Sequence, residues 1–166
     1  MSEHVPMGRW GIGPQFGSVM ILYAILAEAL TIWKPNLFGA LRGPGRSFQV
    51  VGVLLLVAGV CMYVWSLAIL KPALRERRVA STGPFACVQH PLYASWILLL
   101  VPGTALLCHS WLVLTASGVG YVFFRLLISR EEMALLAAHG EAYREYASTR
   151  GRLVPRMGTC FCKRPK

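Results

Sequence analysis

Long apolar runs alternate with short polar ones along the chain. Residues 16–33, 48–70, 92–107 and 111–128 are stretches in which apolar side chains occupy every helical face rather than one stripe. A helix that is apolar all round is buried or faces lipid, and about 20 such residues cross a bilayer. Residues 48–70 carry no charge and rise roughly 34 Å as a helix, close to a hydrocarbon core of about 30 Å. No small-residue cleavage site follows residues 16–33, so that run is read as a retained span. Its Glu28 is an ionisable group at membrane depth, either functional or paired with a neighbouring helix. Pro102-Gly103 interrupts the third run, predicting a kink or the close approach of a partner helix. Only Cys108-His109-Ser110 separates the third and fourth runs, which forces an antiparallel helical hairpin.

The polar stretches complete the outline. Residues 34–47 are rich in Gly and Pro and read as a loop. Residues 71–78 form a basic run. Past Arg125 the chain turns polar, and Glu131-Glu132 is read as the start of a helix reaching about Tyr146. On that helix Glu132, Leu136 and Tyr143 share a face. The stretch after Gly151 is basic, contains proline, and is expected to be poorly ordered. The predicted fold is all-α: a polytopic membrane bundle of about four transmembrane helices plus a C-terminal interfacial helix. It forms one domain over residues 1–166, with residues 1–47 as N-terminal segment and first span, 48–155 as core, and 156–166 as basic tail.

Composition agrees with a membrane protein. The chain is 55% hydrophobic and 14% charged, against about 25% charged for a soluble domain. Every acidic residue is Glu, which excludes an aspartate pair or an aspartate-bound metal. Cys160-Phe161-Cys162 has no neighbouring histidine, and no metal is expected there. The net charge of +10 flanks the spans and crowds the C-terminus. Anionic lipid headgroups therefore suit it better than nucleic acid. Four spans put both termini and the second loop on one side, together with 14 of the 17 Lys and Arg residues. That side is predicted to be cytoplasmic. The sequence carries no signal of oligomeric state.

The chemistry centres on residues 83–93, Gly-Pro-Phe-Ala-Cys-Val-Gln-His-Pro-Leu-Tyr. Gly83-Pro84 and His90-Pro91 bracket a conformationally restricted loop, and Pro91 suits the first position of the next helix. Gln89, His90 and Tyr93 form one cluster. Arg125, Glu131, Glu132, Tyr143 and Tyr146 form another, on the same side of the hairpin. Each has an ordinary reading: a loop cap for His90, a helix start for the Glu pair, snorkelling for Arg125, and packing for Gly103. Their convergence favours a site.

These motifs resemble those of the integral-membrane methyltransferases, which include isoprenylcysteine carboxyl methyltransferase and the phospholipid N-methyltransferases. The matches are Gly83-Pro84-Phe85, Val88-Gln89-His90-Pro91-Leu92-Tyr93, Arg125, Glu131-Glu132, and Gly140-Glu141-Ala142-Tyr143-Arg144-Glu145-Tyr146. Three departures stand out: Gln89 where the family has Arg, Ser95 where it often has Gly, and Gly103-Thr104-Ala105 in place of Gly-x-Gly. The resemblance implies S-adenosylmethionine (SAM) as cofactor. It would be held by Gln89, His90, Tyr93, Gly103, Glu131, Glu132 and Tyr143, with Arg125 and Glu131 as catalytic candidates. It also implies a lipophilic acceptor from the bilayer: an isoprenylcysteine or other lipid carboxylate, or a phospholipid amine. The alternatives are a membrane reductase of sterol-reductase type using NADPH, and a non-enzymatic scaffold or lipid-binding subunit.

Overall fold

The computed structural model describes residues 13–38 and 45–156. Most of the N-terminal polar segment, part of the first loop, and the tail with Cys160 and Cys162 lie outside the described residues. Among the described residues the chain is helical, with no strand beyond one isolated bridge between Val88 and Gly151. The elements are α1 Gly13–Trp33, α2 Pro35–Phe38, α3 Gly45–Arg75, a 3₁₀ turn Gly83–Ala86, α4 Pro91–Ala94, a π-helical segment Ser95–Leu100, α5 Val101–Leu107, α6 Trp111–His139 and α7 Glu141–Thr149.

Three helices, α1, α3 and α6, are long and apolar enough to cross a membrane, so the chain is an integral, multi-pass membrane protein. The expected fourth span, Pro91–Leu107, is shorter and changes register on the way. Pro102 has no N–H to continue an α-helical ladder. One turn earlier the ladder widens, and the Val101 N–H donates to the Trp96 carbonyl five residues back. Such a π turn absorbs the mismatch without breaking the helix.

Two contacts assemble the bundle. Gly52 of α3 and Gly103 of α5 lie face to face, and a Cβ on either would sit 3.0 Å from the other's carbonyl oxygen. Small residues let membrane helices approach this closely. On the other flank, Phe16 and Met20 of α1 pack with Ala116, Phe124 and Ile128 of α6. Tyr23 Oη lies 2.7 Å from Thr115 Oγ1, and Thr31 Oγ1 lies 2.7 Å from Ser110 Oγ. Ser110 also caps α6, its Oγ accepting from the Val113 N–H. Two polar pairs thus join the packed faces of α1 and α6.

The expected break before Glu131 does not occur. α6 runs on as one helix from Trp111 to His139, because Ser129, Arg130 and the two glutamates include no helix breaker and a change of polarity alone does not end a helix. Gly140 ends it, with φ of 55° and its N–H on the Leu136 carbonyl. Glu131 and Glu132 are therefore interior residues of α6, not a helix start. The stretch beyond Gly151 also departs from expectation. Gly151 and Arg152 accept hydrogen bonds from the loop before α4, and Leu153 is buried in the core.

Candidate active site

The loop before α4 takes its shape from residues at both of its ends. Gly83 adopts φ of 56°, and a Cβ there would collide with Ile69 and crowd Trp65; only glycine meets both demands. Pro91 starts α4, with His90 as the preceding residue. The rest of the loop is strapped to the C-terminal segment. The Gln89 and His90 N–H groups donate to the carbonyls of Gly151 and Arg152 at 2.8 and 3.0 Å. Gln89 Nε2 donates to the carbonyls of Ala147 and Arg150. Tyr146 Oη donates to the Phe85 carbonyl at 2.9 Å, and Arg150 Nε to that of Ala86 at 3.1 Å. The Arg150 guanidinium lies over the Tyr146 ring.

This strap holds a row of polar side chains against α6. His90 is 6% exposed, with its ring near those of Phe124 and Tyr93. Its Nε2 lies 3.6 Å from Glu132 Oε1, too far for a hydrogen bond. Both atoms are buried and lack a hydrogen-bond partner among the described residues. The other Glu132 oxygen accepts from Arg152 Nη2 at 2.7 Å. One turn of chemistry away, Tyr93 Oη donates to Glu131 Oε2 at 2.7 Å. Glu131 has no cation beside it among the described residues. Tyr143 is 5% exposed, and its hydroxyl is buried without a partner. Burial pushes the Tyr143 phenol well above its ordinary value, helped by Glu132 and Glu131. Burial does the same for Tyr146. Both therefore stay protonated, as neutral hydrogen-bond donors.

A cavity of about 720 Å³ opens beside this row. Gln89, His90, Tyr93, Glu131, Tyr143 and Tyr146 line its polar part. Leu70, Ala73 and Leu74 of α3 face Ala134, Leu135 and Ala138 of α6 along its apolar part. The volume falls in the range of about 300–1,000 Å³ usual for small-molecule sites.

The structure brings Gln89, His90, Tyr93, Glu131 and Tyr143 to one cavity. Glu132 stands just behind, against His90. It does not bring Arg125 or Gly103 there. Arg125 sits one position past the buried Phe124 and is exposed on the outer flank of α6, where a long cationic side chain reaches the interface. Gly103 is used in the α3–α5 crossing. Glu28 lies at the far end of the bundle, near Cys108. Arg150, Gly151 and Arg152 went unnoticed in the sequence. The apolar Leu153-Val154 pair in an otherwise basic stretch was the available sign that this segment docks.

Residues 48–137 match the model of the isoprenylcysteine carboxyl methyltransferase (ICMT) family. The chain belongs to this family. No curated protein and no solved structure matches it. Enzymes of the ICMT family are SAM-dependent methyltransferases, and this chain is accordingly a membrane methyltransferase acting on a lipophilic acceptor. The family match selects SAM over a nicotinamide cofactor and an enzyme over a scaffold. It reaches from α3 to the last turn of α6, and so includes Gln89, His90, Tyr93 and the Glu pair. The strap that orders them, from Tyr143 to Arg152, lies beyond the matched residues.

The side chains suit SAM by the chemistry of their donors and acceptors. An uncompensated carboxylate at Glu131 fits a ligand with a positive ammonium and sulfonium. The orphaned His90 Nε2 and Tyr143 hydroxyl fit a ligand rich in polar atoms, because buried polar groups otherwise remain unpaired at a cost of about 1–3 kcal/mol each.

Proposed function

We propose that the cavity between α3, the 83–93 loop and the C-terminal part of α6 is the cofactor and reaction site. Glu131 accepts hydrogen bonds from the cofactor ammonium, and Tyr93 fixes the carboxylate in place for that role. His90 and Tyr143 contribute directional hydrogen bonds to the carboxylate, ribose or adenine. Glu132 holds the His90 ring from behind, with Arg152 balancing its charge. Gln89, which stands where the family has Arg, is a positioning residue that ties the loop to α7. SAM supplies the electrophilic methyl group. The protein's part is orientation and exclusion of water, which suffice for an in-line transfer to an acceptor that is already nucleophilic.

The acceptor enters from the bilayer along Leu70, Leu74 and Leu135. It is a lipid or isoprenylcysteine carboxylate, or a phospholipid amine. Four apolar segments, including Pro91–Leu107, cross the membrane, and both termini and the site face the cytoplasm.

The observation that carries this reading is the pair of buried atoms without a hydrogen-bond partner, His90 Nε2 and Tyr143 Oη, beside a carboxylate with no cation. His90→Ala tests it. The expected result is loss of SAM affinity and of methyl transfer by a similar factor, with the helices still folded. Lower melting temperature with unchanged affinity would instead make His90 a loop cap. In the same preparation, transfer of a labelled methyl group from SAM into extracted lipid identifies the acceptor. Base-labile label marks an ester and base-stable label an amine.

A further inference from the structure

The cavity lining is electrically mixed. It includes the carboxylate of Glu131 and the basic side chains of Arg77, Arg78 and His139. His139 lies eight residues beyond Glu131 on α6, so the two are separated by roughly 12 Å at 1.5 Å per residue. Among the described residues Arg78 pairs with Glu76, while Arg77 has no hydrogen-bond or ion-pair partner.

The backbone at Arg77 is the second observation. Past the end of α3, the Arg78 N–H returns to the Ala73 carbonyl at 3.0 Å and the Arg77 N–H to that of Leu74 at 3.4 Å. This is a Schellman closure with Arg77 as the left-handed residue, at φ of 53°. Glycine is the usual occupant there, and a side chain of this size is disfavoured. A strained conformation borne by a residue that lines a cavity points to a role for its side chain.

We propose that Arg77 is a specificity-determining residue of the methyl acceptor site, binding an anionic group, carboxylate or phosphate, on the lipophilic acceptor. This rests on the assignment of the cavity as the reaction site. Glu131 repels an anion from its own part of the cavity, and Arg77 attracts it, with Arg78 and His139 adding positive charge to the same lining. The chain of the acceptor follows the apolar wall of Leu70, Leu74 and Leu135 between them. A neutral amphiphile gains the wall but not the anchor. The cofactor, held by Glu131 and His90, does not depend on Arg77.

The test uses the full chain in neutral detergent with four probes: dodecanoate, dodecyl phosphate, dodecanol and inorganic phosphate. The native protein is expected to bind one or both amphiphilic anions about tenfold or more tighter than dodecanol, and the preferred anion identifies the acceptor's group. Arg77→Gln should weaken that binding about tenfold, leave dodecanol and SAM affinities unchanged, and Arg77→Lys should keep most of the affinity. Arg77→Gly separates charge from folding. It suits the left-handed backbone, so its melting temperature should equal or exceed that of the native chain while the anion affinity is lost. Anion affinities within about twofold of native in Arg77→Gln and Arg77→Gly would overturn the proposal. So would equal binding of dodecanol and the anions, a parallel loss of SAM affinity, or inorganic phosphate binding as tightly as dodecyl phosphate. Failure of the native chain to bind SAM would instead sink the reaction-site assignment, and it is read separately.

Discussion

Glu131 and Glu132 are adjacent on α6 but point to different surroundings. Glu131 faces the cavity with a tyrosine hydroxyl as its partner. Glu132 stands behind His90 and takes Arg152. The two should therefore fail differently. Glu131→Gln preserves an acceptor for Tyr93 and removes the charge. A charge-assisted hydrogen bond is worth about 1.5–3 kcal/mol, so SAM affinity should fall roughly ten- to a hundredfold with little change in melting temperature. Glu132→Gln should lower the melting temperature more than it lowers affinity, because it loosens the contact that fixes His90. Calorimetric titration and thermal melting on both variants compare these outcomes. Equal SAM affinity in Glu131→Gln and the native chain would remove Glu131 from the cofactor site. At this scale the sequence singled out residues that the fold brings to one cavity, because Gln, His, Tyr and paired Glu are rare beside lipid-facing runs. It did not separate the two glutamates, since neighbours on a helix differ in direction by a rotation that only packing turns into a role. Nor did it separate Arg125 from the site, because an arginine at the end of a span reads the same whether it faces the bundle or lipid.

The elements matter here chiefly for how they end and how closely they approach. Gly83 permits the loop to turn under Trp65 and Ile69, and Gly140 ends α6 so that α7 can fold back. Gly83→Ala meets both a left-handed backbone and a steric clash. Its cost should be about 1–3 kcal/mol, read as a lower melting temperature, and the displaced loop should carry His90 with it and reduce SAM affinity. A variant with native stability and affinity would show that the loop is not held where the strap puts it. Helix boundaries were visible in the sequence at Pro91 and at the short Cys108-His109-Ser110 link. The continuation of α6 through Glu131 was not, because a helix can leave the apolar layer without any local signal. The register change ahead of Pro102 is of the same kind. Its cause is in the sequence, but whether a kink, a break or a π turn results depends on the neighbouring helices.

At the scale of the molecule, the proposed topology is what would join the site to its cofactor supply. If four segments cross and the basic side is cytoplasmic, as proposed, a cysteine placed at Asn36 should label only from outside the cell membrane, and one placed at Glu76 only from the cytoplasm. Permeant and impermeant thiol reagents on chains freed of native cysteines measure this. The reverse pattern would invert the orientation and put the cavity on the wrong face. Apolar length and turn chemistry in the sequence alone determined a multi-pass helical bundle. The three-residue link determined its hairpin, and the motifs at residues 83–93 and 131–132 pointed to its family. These are local properties, fixed by propensity and by the need to satisfy backbone groups inside the membrane. Only the tertiary structure decided that residues 150–153 strap the loop in place and that Gly103 serves a helix crossing. It alone decided that the basic run at residues 71–78 ends on the rim of the cavity. Such pairings join residues tens of positions apart, and they are selected by the fit of surfaces that no single stretch of chain contains.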